Sequence, residues 1–155
     1  MEASEATIVE KIASLMKERG FRATPQRVMI AKLIVENVAS HPSLKELHEM
    51  ASKVLPGVGV STVYNTIVML ESMNLIKTFY VEGRLHVDKF ETHLNIYCKD
   101  EGRILDLEGE AGEEIVGVLR KHGVIIENPV ILVTGKCKPS SASESSPSVE
   151  FYEEG

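Results

Sequence analysis

The apolar residues in the first half of the chain recur at the three- and four-residue spacing of amphipathic helices. A first helix ends at Gly20, a residue suited to the left-handed position after a helix. Thr24 caps a second helix whose first residue is Pro25, and Ser43 with Glu46 forms a capping box for a third. The apolar stripe of the first helix is Ile8, Ile12, Leu15 and Met16.

A fourth helix begins at Val60 or Ser61, and beyond it the apolar residues alternate in the manner of strands. Two strands at 77–80 and 84–87 flank the short turn Glu82-Gly83. Two more strands are predicted at 93–98 and 103–107, and a helix at 111–121 turns Ile115, Val118 and Leu119 inward. The last element is a long strand at 124–134 that Asn128-Pro129 interrupts.

This order of elements predicts an α+β chain with two parts. Residues 1–84 form an N-terminal winged helix-turn-helix domain, since helices followed by a hairpin are typical of that fold. Residues 85–138 form a small α/β dimerisation domain, which is too short to build a core alone and would gain one from a second copy. The Ser- and Glu-rich tail, 139–155, is predicted to be disordered.

Charge and composition limit the function. The net charge is −6, but residues 1–84 carry 10 cations against 9 acids (+1) and residues 85–138 with the tail carry 7 against 14 (−7). This asymmetry permits a DNA-facing first half.

No apolar run is long enough for a membrane span and no signal-peptide pattern is present, so we expect a cytoplasmic protein without a membrane partner. Cys98 and Cys137 are too few for a disulfide framework and are interpreted as small buried residues in a reducing compartment.

The fourth helix is the predicted recognition helix. Its first turns offer hydroxyls, an amide and an aromatic ring, which suit phosphates, base edges and thymine methyl groups. The alternative is an ordinary capped helix with a solvated face. The DNA-contacting residues predicted from this helix and from the cations nearby are Arg22, Ser61, Thr62, Tyr64, Asn65, Lys77 and Arg84.

The stretch Arg84–Leu107 concentrates side chains that can bind a metal. Its donors are His86, His93, Asn95 and Asp106, placed among alternating apolar residues. Strands hold side chains at fixed positions, so such a stretch can assemble a metal site. The alternative is a solvated hairpin whose polar residues have no common role. His48 and His122 are interpreted as a packed side chain and a helix C-terminal residue.

These patterns together resemble the ferric uptake regulator superfamily of metal-dependent repressors. The resemblance spans about residues 7–138 and is carried by an ordered series of short motifs. They are Thr24-Pro-Gln-Arg27, His41-Pro-Ser-Leu-Lys-Glu-Leu47, Ser61-Thr-Val-Tyr-Asn-Thr66, His93-x-Asn95-x-x-Cys98 and Gly135-x-Cys137.

The resemblance implies a regulatory site for one divalent metal per subunit, Fe(II) or Mn(II) with Zn(II) as a further option. Its ligands would be His41, His86, His93, Asn95 and Asp106. Asn95 replaces the second His of a His-x-His motif, and an amide oxygen is a weaker donor than imidazole, so its role as a ligand stays open. The family's structural zinc needs four cysteines and is predicted to be absent because only two remain. The family usually has Arg at position 65.

The resemblance therefore implies a homodimeric repressor, not an enzyme, that binds a palindromic operator in double-stranded DNA when metal is bound. The carboxylate at position 106 is Asp, which resembles the peroxide-responsive branch of the family. In that branch peroxide oxidises a ligand histidine beside Fe(II), and the resemblance implies that this histidine would be His41 or His93 here. One alternative is a regulator of iron, manganese or zinc homeostasis that does not sense peroxide. A second is a metal-independent winged-helix protein. A hydrolytic zinc enzyme is disfavoured, since no nucleophile or second acid accompanies the donors.

Overall fold

The computed structural model describes residues 2–107 and 109–138. The predicted tail, 139–155, lies outside the described residues. The chain divides into two compact units, Met1–Glu91 and Thr92–Gly155. The predicted α+β class is confirmed by the mixture of helices and small sheets in these units.

The first unit is a set of four helices followed by a two-stranded sheet. Its elements are α1 (Glu2–Glu18), α2 (Pro25–Asn37), a 3₁₀ turn (Val38–Ser40), α3 (Leu44–Val54), α4 (Val60–Ser72), β1 (Ile76–Val81) and β2 (Arg84–Lys89). Strands β1 and β2 are antiparallel and pair along their whole length. The hairpin thus belongs to the first unit, which ends later in the chain than the boundary at 84 predicted from the sequence.

Local signals set the helix starts as predicted. The Thr24 hydroxyl accepts a hydrogen bond from the backbone N–H of Arg27 at 3.2 Å, and Pro25 is the first residue of α2. At α3 both bonds of the capping box form: the Ser43 hydroxyl accepts from Glu46 N–H, and the Glu46 carboxylate accepts from Ser43 N–H. The helices enclose a continuous apolar core that includes Met16, Ile34, Leu47, Val63, Ile67 and Leu70.

The second unit is a three-stranded sheet with one helix. Its elements are β3 (Leu94–Cys98), β4 (Arg103–Leu107), α5 (Ala111–Lys121) and β5 (Ile131–Gly135). Strand β3 is central, antiparallel to β4 and parallel to β5.

Two predictions for this unit are wrong. The last strand covers Ile131–Gly135 instead of 124–134, because Pro129 has no N–H to donate and Asn128 adopts a left-handed backbone with φ 47°. Val118 and Leu119 are exposed, 53% and 39%, whereas Val116 is the buried residue on α5. The described residues of this unit therefore cover Val116 but leave the part of the α5 face formed by Val118 and Leu119 exposed.

Candidate metal centre and nucleic-acid interface

His41 and Asp88 form a buried pair in the first unit. His41 follows the 3₁₀ turn in a left-handed conformation, φ 52°, and its side chain is 4% exposed. The next residues lie along β2, where Val87 N–H donates to the Pro42 carbonyl and Ser43 forms a bridge with His86. This contact brings His41 Nε2 to 3.4 Å from Asp88 Oδ1. The first unit thus offers one nitrogen and one carboxylate oxygen at the same place.

His86 makes different contacts from those of Asp88. Its Nδ1 donates to the backbone carbonyl of His41 at 2.7 Å, since a carbonyl oxygen can only accept. Its ring is stacked on Phe79, with centroids 6.0 Å apart and planes 14° from parallel. His86 therefore helps to fix the strained backbone of His41, and the carboxylate beside the His41 imidazole belongs to Asp88.

Three further donor atoms converge in the second unit around His93. Its Nε2 is 3.0 Å from Asn95 Oδ1 and 3.3 Å from Asp106 Oδ1. Asn95 and Asp106 are directly opposed on β3 and β4, which explains how residues distant in sequence come to share one nitrogen. Asn95 is 1% exposed, and its Nδ2 donates to the Ile131 carbonyl of β5 at 3.3 Å. That bond turns the amide oxygen towards His93.

The separations of these donors fit a metal ion. Two ligands bound at about 2.1 Å lie about 3.0 Å apart when adjacent in an octahedron, and about 3.3 Å apart in a tetrahedron with slightly shorter bonds. The separation of His41 and Asp88 is 3.4 Å, and those around His93 are 3.0 and 3.3 Å. The Nε2 atom of His93 carries at most one proton, which cannot form a good hydrogen bond to both Asn95 and Asp106 at once. A cation that binds the nitrogen and both oxygens suits this arrangement better. Both groups are compatible with Fe(II), Mn(II) or Zn(II).

Sequence reasoning missed Asp88. The two-residue repeat of a β-strand could have indicated it, because Asp88 follows His86 by two residues and both side chains therefore lie on one face of β2. His86 was the more conspicuous donor. Of the five predicted metal ligands, the structure brings together His93, Asn95 and Asp106 in one unit, and pairs His41 with Asp88 in the other.

From Val60 to Val68 the exposed face of α4 is uncharged, and the first charged residue of the helix is Glu71 near its C-terminus. Val60, Tyr64 and Val68 are 48%, 42% and 45% exposed and recur every four residues, so they form one apolar stripe. Ser61 and Asn65 are exposed beside it, and Thr62 is half-buried. Within the part of the chain that the structure describes, the Asn65 amide has no hydrogen-bond partner. Such a face can meet base edges and thymine methyl groups but cannot neutralise phosphate charge.

Two of the three predicted cationic contacts are accessible. Arg22, before α2, and Arg84, beside the β1–β2 turn, are both exposed. Lys77 is not, which corrects its assignment as a phosphate contact. It is 5% exposed and its Nζ lies 5.1 Å from the centroid of the Phe90 ring, where a cation interacts with the π face.

Comparison with known proteins identifies the family. The model of the ferric uptake regulator family matches residues 18–131. The chain belongs to this family. It is 30% identical over 114 residues to the ferric uptake regulation protein homolog of Archaeoglobus fulgidus, covering 73% of this chain and 85% of that one. It is 31% identical over 111 residues to the peroxide-responsive repressor PerR of Staphylococcus aureus, covering 70% and 73%.

The fold is also that of the family. The Helicobacter pylori ferric uptake regulator, whose structure has three functional metal-binding sites, aligns with a TM-score of 0.68 and 22% identity over 90% of this chain and 95% of that one. The predicted family and fold class are thus confirmed. The family and the curated relatives are thus those of metal-responsive regulators. None of the helices in the described part of the chain combines the length and the hydropathy of a membrane span.

The two cysteines are bonded to each other, whereas the sequence analysis interprets them as small buried residues. Cys98 and Cys137 are joined in a disulfide, with Cα atoms 5.2 Å apart, and are not separate buried thiols. The sequence separation of 39 residues hid the pairing, which depends on β3 and β5 lying side by side. In the disulfide both sulfur atoms bind each other and neither is a thiolate that could bind zinc.

Proposed function

We propose that this regulator is a repressor in which one divalent metal per subunit links the two units. The ligands would be His41 and Asp88 from the first unit and His93 and Asp106 from the second, with the weaker oxygen of Asn95 beside them. His86 would support His41 through its backbone bond. The observation that carries this proposal is the presence, in each unit, of buried donors spaced as ligands of one ion.

A metal shared by both units would act by fixing their relative orientation. It favours the DNA-binding arrangement only if it binds that arrangement more tightly than the alternatives. Shifting the population from 1:99 to 99:1 needs about 5.5 kcal/mol of preference, which several coordination bonds can supply. The two groups of donors lie on separate units of the chain, as such a switch requires.

The DNA partner in this proposal is a palindromic operator. Each subunit would place α4 in the major groove, with Ser61, Thr62, Tyr64 and Asn65 at the bases, and Arg22 and Arg84 on phosphates. Asn can bond both N6 and N7 of adenine, and the apolar stripe of Val60, Tyr64 and Val68 suits thymine methyl groups. The absence of Lys and Arg from α4 supports reading of A·T pairs by uncharged groups.

A second copy of the chain would cover the apolar face of the second unit. Several large apolar side chains there are exposed in the single chain, more than a stable monomer normally leaves uncovered in so small a unit. They are Leu107, Val118, Leu119, Val124, Ile125, Val130 and Val133. A homodimer would also give two recognition helices related by a two-fold axis, which matches a palindrome.

The finer proposal is a response to peroxide through bound Fe(II). Two observations support it: the similarity to the Staphylococcus aureus peroxide-responsive repressor and the Asp at position 106. With Fe(II) bound, peroxide would add one oxygen atom to His41 or His93. Mass spectrometry of peroxide-treated Fe(II) and Mn(II) forms tests this. Oxidation of either histidine only in the Fe(II) form supports peroxide sensing, and identical masses favour a metal-homeostasis role.

The bridging site itself is tested by calorimetric titration with Mn(II). Wild type should bind one ion per subunit at this site, and His41→Ala and Asp106→Ala, one from each unit, should each abolish that binding. His122→Ala, at the C-terminus of α5, is the control and should bind like wild type. If only the second-unit variant loses binding, the metal is held by the second unit alone and the bridge is wrong.

A further inference from the structure

The end of β5 is fastened to the β3–β4 turn by three kinds of linkage. The first is the disulfide between Cys98, the last residue of β3, and Cys137, two residues after β5. The second is Asp100, whose two carboxylate oxygens accept the backbone N–H groups of Cys137 at 2.9 Å and Lys138 at 2.6 Å. The third is a bond of 2.8 Å from Lys99 N–H to the Gly135 carbonyl. We call this group the β5 clasp.

The negative charge of the Asp100 carboxylate contributes to the β5 clasp. The backbone N–H of Cys137 is the largest of the influences that lower the pKa of the Asp100 carboxyl, and the N–H of Lys138 acts in the same direction. The carboxylate is therefore ionised at neutral pH, and both backbone N–H groups donate to a charged acceptor. Because one of those bonds comes from Cys137 itself, the carboxylate and the disulfide hold the same residue.

The opposite end of β5 contacts the metal-binding residues of the second unit. The carbonyl of Ile131, the first residue of β5, accepts the bond from Asn95 Nδ2 that orients the amide oxygen towards His93 Nε2. Among the described strands, β5 lies at the edge of the sheet and pairs with β3 alone. Its position, and with it the orientation of Asn95, depends on the ladder to β3 and on the clasp.

We propose that Cys98 and Cys137 are a redox-active pair that is oxidised by hydroperoxides, and that closing it strengthens metal binding at His93 by fixing β5. The second half of this inference rests on the metal site proposed above. Cys98 is fully buried whereas Cys137 is half-buried, so a small oxidant reaches Cys137 first. Cys98 then completes the reaction inside the protein.

The reaction balances without a metal. The Cys137 thiolate attacks one oxygen of hydrogen peroxide, the O–O bond breaks, and Cys137 sulfenic acid and hydroxide form. The Cys98 sulfur then attacks the Cys137 sulfur and displaces the second oxygen as water. Two thiols lose two electrons and two protons, and one peroxide becomes two waters. A dithiol reductant reverses the change by disulfide exchange and itself becomes a disulfide.

The expected effect on metal binding follows from the role of Asn95 as the partner of His93. Losing a group that orients a metal ligand typically weakens metal affinity about 10- to 100-fold. We therefore expect the reduced chain to bind Mn(II) about tenfold or more weakly than the oxidised chain. Amides of β5 should also exchange with solvent faster when the disulfide is open, because the covalent link is then lost and the three hydrogen bonds of the clasp are less firmly held.

The experiment compares full-length chains that are reduced, freed of reductant, and then either kept reduced or treated with hydrogen peroxide before any metal is added. Thiol titration, Mn(II) affinity and amide exchange of β5 are measured on each. Cys137→Ser should show the reduced behaviour in both conditions, and it spares the fully buried Cys98 site. Thr134→Ser, a conservative change at an exposed position of β5, is the matched control and should respond like wild type.

The outcomes separate the two proposals. Loss of both thiols with peroxide, slower exchange in β5 and tighter Mn(II) binding support the inference. The inference is overturned if peroxide leaves both thiols intact, or if the reduced and the peroxide-treated chains bind Mn(II) equally well. If Mn(II) binds neither form, the proposed metal site fails and the coupling fails with it. The thiol count and the exchange of β5 then still decide whether the clasp opens and closes.

Discussion

Gly112 in α5 is placed where a methyl group would strike the backbone of a proposed ligand. A Cβ built on Gly112 would lie 2.8 Å from His93 Cα, 3.0 Å from its carbonyl carbon and 3.1 Å from its nitrogen. Carbon atoms in contact prefer about 3.5–4.0 Å, so the closest pair would be about 0.7 Å too near. The obstacle is main chain and cannot swing aside as a flexible side chain would.

Gly112→Ala should therefore destabilise the second unit and displace His93. Overpacking of this kind typically costs about 1–3 kcal/mol. Replacing Gly by Ala within a helix offsets about 1 kcal/mol of that cost through helix propensity. Gly117→Ala on the same helix meets nothing within 4 Å and should gain the propensity term alone. The difference between the two variants isolates the clash, which we expect to be about 1–3 kcal/mol.

Urea unfolding followed by circular dichroism measures the two free energies, and Mn(II) titration measures the effect on the site. Gly112→Ala should be the less stable variant and should bind Mn(II) more weakly than Gly117→Ala. Both variants are compared at the same oligomeric state. Equal stability and equal affinity in the two variants would refute the close packing of α5 on His93.

Three other predictions concern the clasp and the DNA interface. Asp100→Asn should lower the melting temperature at neutral pH. The difference in melting temperature from wild type should shrink as the pH falls below the usual range of the Asp pKa, because a carboxylate with a lowered pKa stabilises the fold only while it is ionised. Arg84→Ala should reduce the salt dependence of operator binding by about one counterion, whereas Lys77→Ala, at a buried site, should leave that slope unchanged. Asn65→Ala should cost about 1–3 kcal/mol and relax preference at one A·T pair, which base-substituted operators would detect.

Much of the fold could be predicted because its signals are local. Thr24 and Ser43 bond to backbone groups three residues away, so their neighbours in sequence define both helix starts. The β1–β2 hairpin likewise follows from a two-residue turn between alternating strands, in which Glu82 and Gly83 both take positive φ. Elements of this kind need no knowledge of the rest of the chain.

The features that could not be predicted depend on contacts between distant residues. The Cys98–Cys137 bond requires the parallel pairing of β3 with β5, which no short motif indicates. Val118 and Leu119 share the helical apolar pattern of a buried face, yet their unit does not cover them. Asp88 is hard to assign from the sequence because His86, a commoner type of metal ligand, lies two residues before it on the same face of β2.

Operator binding as a function of Mn(II) concentration tests the proposed switch most directly. A fluorescent operator is titrated with wild type, His41→Ala and Asp106→Ala, each with and without the metal, and His122→Ala serves as the folded control. We expect wild type and the control to bind DNA tightly only with Mn(II), and both ligand variants to bind weakly in either condition. Tight binding by the two ligand variants without metal would contradict a metal-linked switch and would establish a metal-independent winged-helix protein.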